Sequence, residues 1–148
     1  MNSPSSASLT PSTTRKSLDK LSYDVIGAAI EVHKALGPGL LEGVYHECLK
    51  HELRLREIRF LTEFAVPVNF KGLSITSDLR CDLFIEGVIA VELKAVSAFL
   101  PIHQAQLLTY MKLLNAPKGL LLNFHCVNLF KDGQKTLVNE LYRNLPEE

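Results

Sequence analysis

The chain has 148 residues, 47% of them hydrophobic, which is enough for one compact core and too little for two comfortable ones. Sixteen Lys plus Arg balance sixteen Asp plus Glu, so no global field steers the protein toward a polyanion, and any nucleic-acid site must be a local patch. Cys48, Cys81 and Cys126 are odd in number and far apart, with neither CxxC nor paired ligand spacing, so reduced and mostly buried thiols are expected. Apolar runs such as GLLLNF fall far short of the roughly 20 residues that span a bilayer, and no charged n-region with an apolar h-region opens the chain. A soluble cytoplasmic protein with no membrane partner is the expectation.

Residues 1–18 read as a disordered Ser/Thr/Pro-rich extension, because they offer little apolar surface to offset the entropy of ordering them. Arg15, Lys16 and the lack of acids faintly suggest a transit peptide, but the segment has no amphipathic period. A single domain is expected over residues 19–145. Leu21, Val25, Ala28, Ala29, Val32 and Leu36 recur at three and four, predicting a helix that Gly37, Pro38 and Gly39 stop. A second helix is predicted from Leu41 or Glu42 to about Arg56, with Val44, Tyr45, Cys48, Leu49, Glu52 and Leu55 on its mainly apolar face.

After Ile58 the texture turns β-branched and aromatic. Three strands in an antiparallel meander are predicted, FLTEFAVPVNF, LSITSDLRCDLFI and VIAVELKAV, with Pro67 marking the first as an edge or bulged strand. A helix over Pro101 to Leu114 follows, with proline tolerated in its first turn. Gly119 to Phe124 lacks alternation and reads as a strand buried on both faces, added beside the meander after a helical crossover. A turn at Asp132 and Gly133 precedes a last strand.

The chemistry concentrates in residues 82–94, DLFIEGVIAVELK. Cys81, Leu83 and Ile85 are expected on one face of their strand, and Ile89, Val91 and Leu93 on one face of the next, which leaves Asp82, Glu92 and Lys94 together on the other. A three-residue loop, Glu86 to Val88, then puts Asp82 opposite Glu92. Opposed carboxylates repel by up to about 1 kcal/mol. A hard divalent cation held by one or two carboxylates plus waters relieves that, and Lys94 could stabilise charge developing on a phosphoryl group or hold the attacking water. The bland alternative is a Glu92–Lys94 ion pair at a sheet edge.

Asp82 with Glu92, Leu93 and Lys94 resembles the D…ExK core of the PD-(D/E)XK nuclease superfamily. Gly39, Glu42 and Tyr45 spell GxxExxY, similar to the signature of small bacterial GxxExxY proteins in that superfamily, and Gln106 and Tyr110 spell the QxxxY of its RecB-like branch. The resemblance covers Leu21 to Val138. It implies an α/β, restriction-endonuclease-like core: a mixed sheet, built from the three-strand meander plus further strands, flanked by helices. It also implies Mg²⁺ or Mn²⁺ held by Asp82, Glu92, the backbone carbonyl of Leu93 and Glu42, with His33 a further candidate ligand. Lys94 would position or activate water, and Gln106 and Tyr110, one helical turn apart, would orient the phosphate backbone or the lysine. His103 could approach a scissile phosphate.

Each residue has a plainer reading. Glu42 suits a helix's first turn whatever its role, Tyr45 and Tyr110 could be core aromatics with satisfied hydroxyls, and His33 could be packed structurally. His46 and His51 read as surface. The expected function is a metal-dependent nuclease acting on DNA ahead of RNA. Because basic residues are dispersed, a homodimer or a partner protein could supply the grip on nucleic acid. The alternative is a non-catalytic module that keeps the fold and binds nucleic acid or protein.

Overall fold

The computed structural model describes residues 13–148. Helix α1 spans Arg15–Leu36 and starts six residues before the predicted Leu21. A reciprocal cap explains the early start: the Ser17 amide donates to Thr14 Oγ1 at 3.0 Å, and the Thr14 amide to Ser17 Oγ at 3.0 Å. Leu18 then extends the apolar stripe by a turn and is fully buried. The extension expected over residues 1–18 is therefore helical from Arg15, and residues 1–12 lie outside the described residues.

Helix α2 spans Glu42–Leu55 and buries Tyr45, Leu49 and Leu53, one i, i+4 row. Val44 and Leu55, expected on the covered face, are exposed because only that row meets the core. Next come β1 (Phe60–Phe70), β2 (Leu73–Ile85), β3 (Ile89–Lys94), α3 (Pro101–Leu114), β4 (Lys118–Asn123), β5 (Gln134–Val138) and a four-residue helix α4 (Glu140–Arg143). A single turn of π-helix, Leu129–Gly133, leads into β5.

The five strands pair in sequence order. Strands β1, β2 and β3 form the antiparallel meander, with Pro67 at a register shift on the edge strand. The α3 crossover returns the chain so that β4 lies parallel to β3, and β5 closes the sheet antiparallel to β4. One face packs on α1 and α2 through Leu83, Ile85, Val91, Leu93, Leu120 and Leu122. The other packs on α3 through Phe84, Ala90, Leu107, Met111 and Leu121. Covered on both faces, β3 is apolar throughout except where it carries Glu92 and Lys94.

Among the described residues no helix is long and apolar enough to cross a membrane.

Candidate active site

The loop is Glu86 to Val88, and the ladder runs Ile85↔Ile89, Phe84↔Ala90, Leu83↔Val91. One step further stand Asp82 and Glu92, where the carboxylates replace the backbone ladder. The Asp82 amide donates to Glu92 Oε2 at 2.9 Å, and the Leu93 amide donates to Asp82 Oδ2 at 2.9 Å. Across the sheet, the β1–β2 ladder has no pair at Glu63, opposite Asp82, and Glu63 takes a φ of 49°. An irregularity of this kind re-aims side chains next to a site. It also corrects the expected parity, since Cys81 packs with the α3-side residues rather than with Leu83 and Ile85.

Glu92 is only 4% exposed. Desolvation, then the charge and side chain of Asp82, raise its pKa to about 9, which favours the protonated form of this carboxyl at neutral pH. Burial, with the Glu92 charge next, likewise holds the Cys81 thiol protonated. Tyr110, on α3, is buried and feels the same cluster: desolvation followed by the Glu92, Cys81 and Asp82 charges raises its pKa to about 12. Its hydroxyl and the half-buried Gln106 amide have no protein hydrogen-bond partner among the described residues. Tyr110 is thus a core aromatic whose hydroxyl is left free, not satisfied.

Lys94 ends β3, half-buried, with Asn123 as its register partner on β4. Among the described residues its ammonium forms no ion pair, and the Glu92 carboxylate is engaged by the Asp82 amide. β3 is the central strand of the sheet. The alternative reading, an edge ion pair between Glu92 and Lys94, is therefore absent, because burying β3 directs the carboxylate across the ladder instead of along it.

Glu42 opens α2, exposed, and lies close enough to feel the charges of the same cluster. Partial desolvation and the Asp82 charge raise its pKa, while Lys94 and His46 lower it and Glu63 raises it further. Sequence reading missed two members of this neighbourhood, His46 and Glu63. His46 is half-buried, not a surface residue: Nδ1 lies 3.6 Å from Glu63 Oε1, and Nε2 lies 3.4 Å from Thr62 Oγ1, which donates to the Asp82 carbonyl at 3.4 Å. Its position one helical turn from Glu42 was the available signal.

The two histidines proposed as site residues, His33 and His103, have structural partners. His33 is buried, and its Nε2 donates to the Cys126 carbonyl at 2.8 Å, which commits that nitrogen. His103 Nδ1 accepts the Leu100 amide at 3.0 Å and caps α3. Glu42, Asp82, Glu92, Lys94 and Tyr110 come together; His33 and His103 are held by these contacts instead.

The model of the PD-(D/E)XK nuclease superfamily matches residues 19–137. The chain belongs to this superfamily. No curated protein and no solved structure matches it. The match runs from the first turns of α1 into β5, and the mixed sheet flanked by helices is the restriction-endonuclease-like fold of PD-(D/E)XK proteins.

PD-(D/E)XK nucleases are generally dependent on divalent metals. Among the described residues no three His, Cys, Asp or Glu side chains close on a single point as a metal cage. The donor set nevertheless suits Mg²⁺, which keeps several waters and needs only one or two carboxylates. Asp82 and Glu92 could supply those two, and a cation there would neutralise their mutual repulsion.

Proposed function

We propose that the protein hydrolyses phosphodiester bonds in nucleic acid, DNA ahead of RNA, using Mg²⁺ or Mn²⁺. The observation that carries this reading is the Asp82–Glu92 pair laced across the end of β3, beside a lysine that forms no direct ion pair among the described residues. Asp82, Glu92 and the Leu93 carbonyl would hold the ion, with Glu42 joining directly or through a water. A bound cation supplies Lewis acidity and lowers the pKa of water. Lys94 would hold the attacking water and stabilise charge on the phosphoryl oxygens. Gln106 and Tyr110, whose polar groups lack protein partners among the described residues, would donate hydrogen bonds to the phosphate backbone.

GxxExxY and QxxxY support placing the chain among the GxxExxY proteins and the RecB-like branch. Three free cysteines fit a cytoplasmic location. With no excess of positive charge, a homodimer or partner protein would add grip on the polyanion.

The test is Mg²⁺- or Mn²⁺-dependent cleavage of single-stranded, duplex and branched DNA by the wild type, Asp82→Ala and Lys94→Ala. Cleavage lost in both variants with folding intact supports the reading, whereas full residual activity in either overturns it. The neutral charge balance favours a second reading, a binding module that retains the fold. Metal titration separates the two, because a module has no need of binding that depends on Asp82 and Glu92.

A further inference from the structure

The GxxExxY signature contributes a glutamate to the site, which leaves its tyrosine without a chemical role. Tyr45 is fully buried, so its hydroxyl must find partners inside the protein. It finds two in the loop that precedes Glu42. The Tyr45 hydroxyl donates to the Gly37 carbonyl at 2.6 Å and accepts the Leu40 amide at 3.1 Å. Those bonds clamp both ends of a turn that Gly37 and Gly39 enter with φ of 70° and 101°, a region where any other residue is strained. The turn delivers the chain to Leu41, the N-cap of α2, and to Glu42 at its first position.

The ring of the same tyrosine faces the other half of the site. It stacks on Phe124 with centroids 4.6 Å apart and planes 12° from parallel. Phe124 is also fully buried, and its amide donates to the carbonyl of Lys94 at 2.9 Å. Next to it, the Asn123 side chain accepts the Val96 amide at 3.1 Å and donates to the Val96 carbonyl at 2.8 Å, fixing the chain that leaves Lys94.

We infer that Tyr45 is a positioning residue that sets the separation of Glu42 from Lys94: its hydroxyl holds the Gly37–Leu40 turn that carries Glu42, and its ring holds Phe124, to which the Lys94 backbone is bonded. The spacing G-x-x-E-x-x-Y follows from this arrangement. The tyrosine lies one turn after the glutamate, on the buried side of α2, where its hydroxyl can reach back to the turn that the glycine permits. The metal-affinity part of the test rests on the nuclease reading; the geometric part does not.

The test uses the full chain and Tyr45→Phe, which keeps the stacked ring and removes only the hydroxyl. Amide exchange followed by NMR is expected to quicken at least about tenfold at Leu40 and in the first turn of α2, with β3 and β4 unchanged. Unchanged exchange at Leu40 overturns the inference whether or not the protein binds metal. Mn²⁺ affinity, titrated well below the melting temperature, is expected to fall about tenfold, the range found for groups that orient ligands. That fall should vanish when Tyr45→Phe is combined with Glu42→Gln. A fall that persists in the Glu42→Gln background, or no fall where the wild type binds, overturns a role exerted through Glu42. A wild type that binds no Mn²⁺ counts against the nuclease reading, and the exchange measurement then decides this inference alone.

Discussion

The backbone amide of Asp82 donates to the Glu92 carboxylate, and the bond lies where the β2–β3 ladder gives out. A side chain thus performs there the task of a strand carbonyl, and burial beside the Asp82 charge favours the protonated form of Glu92.

That proton makes the metal-free protein sensitive to pH. The folded-state pKa of Glu92 stands at about 9, above the ordinary value of 4.5, so the folded protein binds the extra proton. The penalty for burying this residue is absent below pH 4.5 and grows as pH rises toward 9. Glu92→Gln stays neutral and can donate to Asp82. In EDTA it should melt several degrees higher than wild type at pH 8 and near it at pH 4, as thermal scans at both pH values would read. A lower melting temperature at pH 8 would contradict the raised pKa of Glu92.

Metal binding should release that proton. Mg²⁺ or Mn²⁺ affinity is expected to tighten from pH 6 to pH 9, as the carboxyl that must ionise does so more readily. Titration calorimetry in two buffers of different ionisation enthalpy counts the protons released, and Asp82→Asn should abolish both heat and release. Chelation of the metal should in turn lower the melting temperature of the wild type at pH 8 but not that of Asp82→Asn.

Lys94 contributes no ion pair to the fold among the described residues, so replacing it should leave stability alone. Lys94→Met should keep the wild-type melting temperature within a few degrees while lowering kcat by at least about 100-fold. Lys94→Arg should fail to restore it, because a planar fork does not replace a compact ammonium. A Lys94→Met protein that unfolds would give the lysine a structural role instead.

At the far end of β4 an ionic contact behaves in the opposite way. Lys118 Nζ lies 2.6 Å from Asp19 Oδ1, its side chain only 7% exposed, and the Tyr142 hydroxyl donates to the same carboxylate at 3.0 Å. Asp19→Asn leaves a buried ammonium short of its counter-charge and should cost about 1–3 kcal/mol, less than for a fully buried pair because Asp19 is half exposed. Lys118→Met, which removes the charge and keeps the stem, should cost less. Urea melts would rank the two, and metal affinity should be untouched in both.

Much of this was legible in the sequence because it depends on local period. The i, i+3 and i+4 recurrence gave α1, and the odd-numbered loop put Asp82 opposite Glu92, although the alternation misplaced Cys81. Other features were not local. The start of α1 depended on a reciprocal Thr14–Ser17 cap, which a reading of apolar periodicity overlooks. The burial of Tyr45, Leu49 and Leu53, not Val44 and Leu55, depended on which row of α2 meets the sheet. His46 looked like a surface residue because its partners, Thr62 and Glu63, arrive from a strand sixteen residues away.

The order of the five strands and the three long helices, the identity of the acids and lysine, and their register across one hairpin were thus determined by the sequence alone, since each rests on spacing along a single stretch of chain. Only the tertiary structure decided that β3 lies at the centre of the sheet, that burial there raises the pKa of Glu92, that Lys94 has no ion-pair partner among the described residues, and that Tyr45 ties the Glu42 turn to the end of β3. Those outcomes depend on what neighbouring elements exclude from water and which polar atoms they bring within reach, and no period in the sequence records either.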